Sequence, residues 1–261
     1  METPSIKIPA TIKSHKNKPE RTGMNEGKKW QIYYCLEKLK AKYGADSYNS
    51  LSSLEYDKYM TNGLNDKSWP NQIFAADIAM TTIMNSKMDG DNLSYLIRNK
   101  DQIEKILKTI PVDVSLVDLP FPEAEAYLKP LFKTIIAKGI KMSKVTKLLY
   151  LKRPRLIPIL DRYVMAALWE DYGNDSISGI NALNKFSVIL KKHKRDLLLL
   201  SNQLSDWLKE EYNEDILITP VRVLESLIWF DYLGYENFDK EFEFEDNVIR
   251  PRVVAKNSSS N

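Results

Sequence analysis

Between Lys138 and Arg162 the sequence gathers eight basic residues (Lys138, Lys141, Lys144, Lys147, Lys152, Arg153, Arg155 and Arg162) against one acid, Asp161. The segment carries +7 while the whole chain carries +3, so the remainder is acidic at −4. An acidic body with one concentrated basic band suits an anionic partner. Within the band, Lys138-Gly139-Ile140-Lys141 reads as a glycine-containing turn between two helices, the second running from Ser143 to Lys152. At helical spacing Val145, Leu148, Leu149 and Lys152 share an apolar face, which leaves Lys144 and Lys147 on another face with Ser143. Both ammonium groups and the first-turn amides of that helix are then expected to point outward, the chemistry of a phosphate-binding surface. Arg153 and Arg155 flank Pro154 and add guanidinium forks, which suit phosphate better than a lysine point charge does.

Asp161 follows the apolar, proline-stiffened stretch Leu156-Ile157-Pro158-Ile159-Leu160 and precedes an apolar helix. Two roles share this position. One is the N-cap, accepting from first-turn amides; the other is a fixed carboxylate that stabilises a developing cation or activates water.

Helical spacing and stop signals predict the elements that must hold these residues. A first helix is expected from Asn25 to Tyr43, and Ser52-Ser53-Leu54-Glu55 reads as a capping box opening a second. Further helices follow from Pro70 to Asp89, along Leu93 to Ile110, and from Glu123 to Lys138 with Gly139 as its C′ residue. Asp161 opens a helix to Tyr172; 179–212 holds one or two more, with Asn202 and Ser205 as breaks. Thr219-Pro220, an N-cap followed by proline at N1, starts an apolar helix through Trp229. The fold class is all-α: a multi-helix globular fold with a helix-hairpin-helix-like element, and with room for a short strand pair near the C-terminus. The expected organisation is a flexible basic arm over 1–23, one helical domain over 24–235 and an extension over 236–261 with a disordered end.

Composition excludes several classes. Hydrophobic residues at 43% and charged residues at 28% are ordinary globular values. No run approaches the roughly 20 apolar residues of a membrane helix, and no signal-peptide core stands at the N-terminus; a cytoplasmic protein without membrane contact is expected. Cys35, the one cysteine, sits in an apolar run and reads as a buried small hydrophobe. The two histidines, His15 and His193, cannot build a multi-histidine metal site, and His193 reads as part of a solvated basic face. No P-loop or dinucleotide fingerprint is present. Neither metal nor cofactor is expected.

The block Thr146-Lys147-Leu148-Leu149-Tyr150-Leu151-Lys152-Arg153-Pro154-Arg155-Leu156-Ile157-Pro158-Ile159-Leu160-Asp161 resembles an uncharacterised bacterial family, domain of unknown function 6308. Phe74-Ala75-Ala76-Asp77, Ile110-Pro111-Val112-Asp113, Arg222-Val223-Leu224 and Ile228-Trp229 fit it too, so the resemblance covers about 70–232. It implies no function. More loosely, a glycine hairpin, a basic helix and an aspartate after a Pro-x-x-x-Pro turn are similar to the helix-hairpin-helix DNA glycosylase superfamily. That resemblance implies that the hairpin grips the DNA backbone, that Asp161 assists base excision, and that Lys144 or, less well, Lys147 is the Schiff-base nucleophile. It also places Gly139, Lys141, Lys144, Lys152, Arg153, Arg155 and Arg162 against nucleic acid. The chain departs from that pattern: Gly139-Ile140-Lys141 lacks the second hairpin glycine, and cluster-binding cysteines are absent. Trp30, Trp69, Tyr163 and Trp229 are candidates for stacking on a base. The expected function is therefore nucleic-acid binding, with DNA as partner and base excision on modified or foreign DNA as the activity. A noncatalytic DNA-binding module, or a protein-interaction or defence-associated module, is the alternative.

Overall fold

The computed structural model describes residues 30–44, 48–168 and 175–233, with the short segments 5–6, 242–245 and 248–251; side chains are described for 35–43, 52–168 and 175–230. The arm and extension readings for 1–23 and 236–261 fall largely outside these residues. Among the described residues no helix is long and apolar enough to cross a membrane.

The fold is all-α, with ten α-helices among the described residues. They are α1 (Ile32–Gly44), α2 (Tyr48–Leu64), α3 (Ala75–Ile83), α4 (Gly90–Leu107), α5 (Phe121–Ile135), α6 (Met142–Lys152), α7 (Arg162–Leu168), α8 (Ser176–Lys192), α9 (Lys194–Tyr212) and α10 (Pro220–Leu233). One hydrophobic core draws side chains from α1 through α10, among them Cys35, Leu39, Ile103, Leu107, Leu128, Phe132, Leu148, Phe186, Leu204 and Leu224. A smaller cluster of Tyr56, Met60, Trp69, Tyr150, Leu151 and Ile159 packs where α2 meets α6. Burying this much apolar surface is what lets short helices of modest intrinsic propensity persist.

Several ends follow the local chemistry read from the sequence. Thr219 caps α10, its Oγ1 accepting from the Arg222 amide at 3.1 Å while its hydroxyl donates to the Pro154 carbonyl at 3.0 Å. Asp89 caps α4 by accepting from the Asn92 amide. Other ends differ. The supposed capping box at Ser52 lies inside α2, which begins at Tyr48. The break between α8 and α9 falls at His193 instead of Asn202 or Ser205. His193 itself is buried there, while Lys192, Lys194 and Arg195 stay exposed as a solvated basic face; Lys191 donates to the Leu119 carbonyl and Lys194 to Asp118.

Candidate functional site

Helix α5 ends at Ile135, and Gly139 is not its C′ residue. Ala137 and Ile140 instead exchange two backbone hydrogen bonds at 3.0 and 3.2 Å, closing a tight turn through Lys138 and Gly139. Gly139 has φ +84°, and a Cβ there would lie 2.6 Å from Asn92 Nδ2, so a side chain is excluded both by backbone strain and by crowding. The same Asn92 presents its Oδ1 to Lys144 Nζ at 2.6 Å. One carboxamide on α4 thus packs closely against the turn and bonds the first turn of α6.

The basic band divides on folding. Lys138, Gly139, Lys141, Arg155 and Arg162 are exposed, and Lys144 is half-buried. Lys147, Lys152 and Arg153 are buried, which corrects the expectation that Lys147 points outward. Its Nζ donates to the Met84 carbonyl at 2.5 Å. Lys152 Nζ lies 2.8 Å from Asp77 Oδ2 and 3.3 Å from the centre of the Trp69 ring. Lys152 and Asp77 form a fully buried ion pair. Asp77 is otherwise satisfied by the Phe74 amide at 2.6 Å and the Tyr59 hydroxyl at 2.9 Å. Arg153 donates to the carbonyls of Pro70, Leu107, Ile110 and Lys152 and to Asn71 Oδ1, at 2.6 to 3.2 Å. Its guanidinium is spent inside the protein. Burial pushes Lys152 down to about 8, against the pull of Asp77, and Arg153 down to about 10.

Asp161 caps α7. Its Oδ1 accepts from the Tyr163 and Val164 amides, both at 2.9 Å. The approach to it is fixed from α6: the Leu160 amide donates to Thr146 Oγ1 at 3.0 Å, and that hydroxyl donates to the Met142 carbonyl. Burial raises the Asp161 carboxyl and Glu225 adds to the rise, while the Val164 amide and Lys147 oppose it. Burial lowers Lys147, with Asp161 and Glu225 opposing. Asp161 and Lys147 are therefore electrostatic neighbours, each moved toward its neutral form by desolvation. Lys144, the other expected nucleophile, is tied instead to Asn92. Of the stacking candidates, Trp69 is buried beneath Lys152, Tyr163 meets Trp229 edge-on at 6.5 Å, and the Trp30 side chain is outside the described residues.

Behind this pair lies a polar cluster that the sequence reading missed. Arg222 of α10 donates Nε to Asp57 Oδ2 at 3.0 Å and Nη1 to Glu225 Oε2 at 2.6 Å. Tyr43 of α1 donates to the same Asp57 oxygen at 2.7 Å. Lys42 Nζ donates to Ser226 Oγ at 2.5 Å and lies 3.9 Å from Glu225. Tyr56 and Tyr150 stack with ring centres 5.8 Å apart, and the Arg222 guanidinium carbon sits 5.9 and 5.5 Å from their centres. The Tyr56 hydroxyl donates to the Lys147 carbonyl, which joins the cluster to α6. Burial opposes the charge on Arg222, but Asp57 and Glu225 outweigh it and raise its pKa. Burial, with Arg222 beside it, lowers Lys42 to about 8, and burial raises Tyr43, Tyr56 and Tyr150. A signal did exist: Asp57 and Arg222 are charges interrupting apolar helix faces.

No curated protein and no solved structure matches this chain. The model of a family of unknown function, DUF6308, matches residues 36–231, a span that contains α6, the Asp161 cap and the Arg222 cluster. The chain belongs to that family.

Proposed function

We propose that the protein binds nucleic acid through the exposed residues of the hairpin corner (Lys138, Gly139, Lys141, Arg155 and Arg162) and excises a base with Asp161 and Lys147. The observation that carries this reading is the exposure of those cations around α6 with the half-buried Asp161 capping the helix that follows, and the charge coupling of Asp161 to Lys147 supports it. In this reading 138–152 acts as a helix-hairpin-helix-like element, a short strand pair closes the C-terminal end, and Lys152 and Arg153 support the corner from inside. The bond from the sugar C1′ to the base breaks with its electron pair leaving on the base. The Asp161 carboxylate stabilises the resulting oxocarbenium-like sugar, and water or the neutral Lys147 amine attacks C1′. A lysine nucleophile must be deprotonated, and desolvation of Lys147 favours that form. The bond from Lys147 to the Met84 carbonyl favours a second reading, noncatalytic DNA binding by the same exposed cations.

The test is a mobility-shift series on single-stranded, duplex and mismatched DNA, followed by base release from modified duplexes. Four phosphate contacts give a slope of log affinity against log salt of about −4. Asp161→Asn keeps a side-chain acceptor for the cap, so the variant is expected to fold and bind as before while losing base release. Unchanged release in that variant removes the enzymatic reading, and salt-independent binding removes both.

A further inference from the structure

Helix α8 presents a face that the hairpin corner does not use. Ile180, Leu183, Phe186 and Leu190 bury its inner side. Ile177, Asn184, Lys185, Val188 and Lys192 are exposed, and their helical spacing puts them on one outward stripe. From Ser176 to Lys192 the helix contains no acidic residue. The acids at its two ends are engaged: Asp175 accepts from the Ser178 amide at 2.8 Å, and Asp118 takes Lys194 at 2.6 Å. Past the break at His193, Arg195 is exposed as well. Two contacts fix where the stripe runs. Gly179 packs directly on the Met142 side chain, so α8 begins against the first residue of α6, next to Lys141. At the far end Lys191 donates to the Leu119 carbonyl, just ahead of α5. The 17 residues between span about 25 Å, antiparallel to α5 and leading away from the hairpin.

We propose that the nucleic-acid surface continues from the hairpin corner along this stripe, with Lys185, Lys192 and Arg195 gripping the phosphate backbone and the Asn184 carboxamide donating to it. The proposal rests on the nucleic-acid reading above and adds the extent of the surface. Lysine, arginine and carboxamide donors are what phosphate contacts are made of, and they position a duplex without reading its sequence. Ile177 and Val188, 69% and 63% exposed, offer aliphatic contact to the sugars between those phosphates. A length of about 25 Å matches about seven base pairs at 3.4 Å per step. Lys138 and Lys141 then hold one end of the footprint, and Lys192 and Arg195 the other. A small anion needs donors that converge on one point; cations strung along a helix without an intervening acid suit a linear polyanion.

Duplex binding by the full chain across a salt series tests it. The four corner contacts give a slope of log affinity against log salt of about −4, and three more take it to about −6. The triple variant Lys185→Gln, Lys192→Gln, Arg195→Gln alters exposed side chains only. It is expected to return the slope to about −4 and to weaken binding at least tenfold at about 0.1 M salt. A control triple, Lys67→Gln, Lys105→Gln, Lys108→Gln, removes the same charge at exposed positions outside α6 to α9 and is expected to leave the slope as it was. An equal loss in the control overturns the proposal, as does a wild-type slope near −4 that the α8 triple leaves in place; the corner reading survives both outcomes. Binding of no nucleic acid removes the two together. Should the α8 triple lose sedimentation with phosphatidylserine vesicles yet bind duplex as the wild type does, the face serves a membrane and this proposal falls.

Discussion

Two arginines are buried in this fold, and they are treated differently. Arg153 places its donors on four backbone carbonyls and one carboxamide, with no carboxylate among its partners in the described residues. Arg222 is held by two carboxylates and still keeps Nη2 without a partner among the described residues. The first is a brace: its N–H groups answer backbone carbonyls at helix ends and loops, and the Asn71 carboxamide. The second is an ionic group with capacity left over. Burial of a cation is therefore no guide to its role; the inventory of its partners is.

The comparison breaks most visibly at Arg153. Arg153→Met keeps much of the volume but strands the carbonyls of Pro70 and Ile110, the Leu107 carbonyl keeping the Ile110 amide as donor, and a loss of about 3 kcal/mol or more is expected, read as a lower denaturant midpoint at unchanged slope. A midpoint within error of wild type would mean that those carbonyls find other donors.

The next effect is a pH dependence that both regions share. Lys42 and Lys152 titrate near 8 in the fold against 10.5 when free, so from about pH 8 upward the unfolded chain binds more protons and stability rises. Cys35 and the three buried tyrosines act in the opposite sense. Their folded values lie above 9.0 for the thiol and 10.0 for the phenols, so stability falls once the unfolded chain ionises there. Unfolding free energy is expected to climb above pH 8 and to turn down by about pH 10. Lys152→Met should remove part of the rising limb while leaving the downturn. A flat profile from about pH 7 to 9.5 contradicts the burial of both lysines.

The smallest effect sharpens the contrast. The Tyr150 hydroxyl makes no hydrogen bond to the described residues, so Tyr150→Phe is expected to change stability by less than about 1 kcal/mol, with either sign. Set beside Arg153→Met, the pair separates a polar group that the fold uses from one that it does not. A loss above about 2 kcal/mol in Tyr150→Phe would show that the hydroxyl has a structural partner after all.

Much of this fold was legible because its signals are local. The Thr219-Pro220 start, the burial of Cys35, the end of α6 at Lys152 and the helical class all follow from periodicity and capping within a few residues. The α8–α9 break was not, since His193 carries no glycine or proline signal and the chain turns there to dock Lys191 and Lys194 on a distant loop. The basic band was half legible. Lys152 already sat on the apolar face with Val145 and Leu148, a hint of burial, but its partner Asp77 is seventy-five positions upstream. Lys147 and Arg153 ended on carbonyls, which have no side-chain signature in a sequence. The Arg222 cluster was missed for a related reason: its members come from α1, α2, α6 and α10, and only packing brings them together.

Arg153 also sets an order of events. The carbonyls of Pro70, Leu107 and Ile110 are made long before the guanidinium that answers them. A nascent chain that has emerged only as far as α5 carries those carbonyls without the guanidinium that answers them. Those carbonyls gain these donors only once residue 153 has been made, so a fragment that stops before it is expected to be less stable than the same segment within the whole chain.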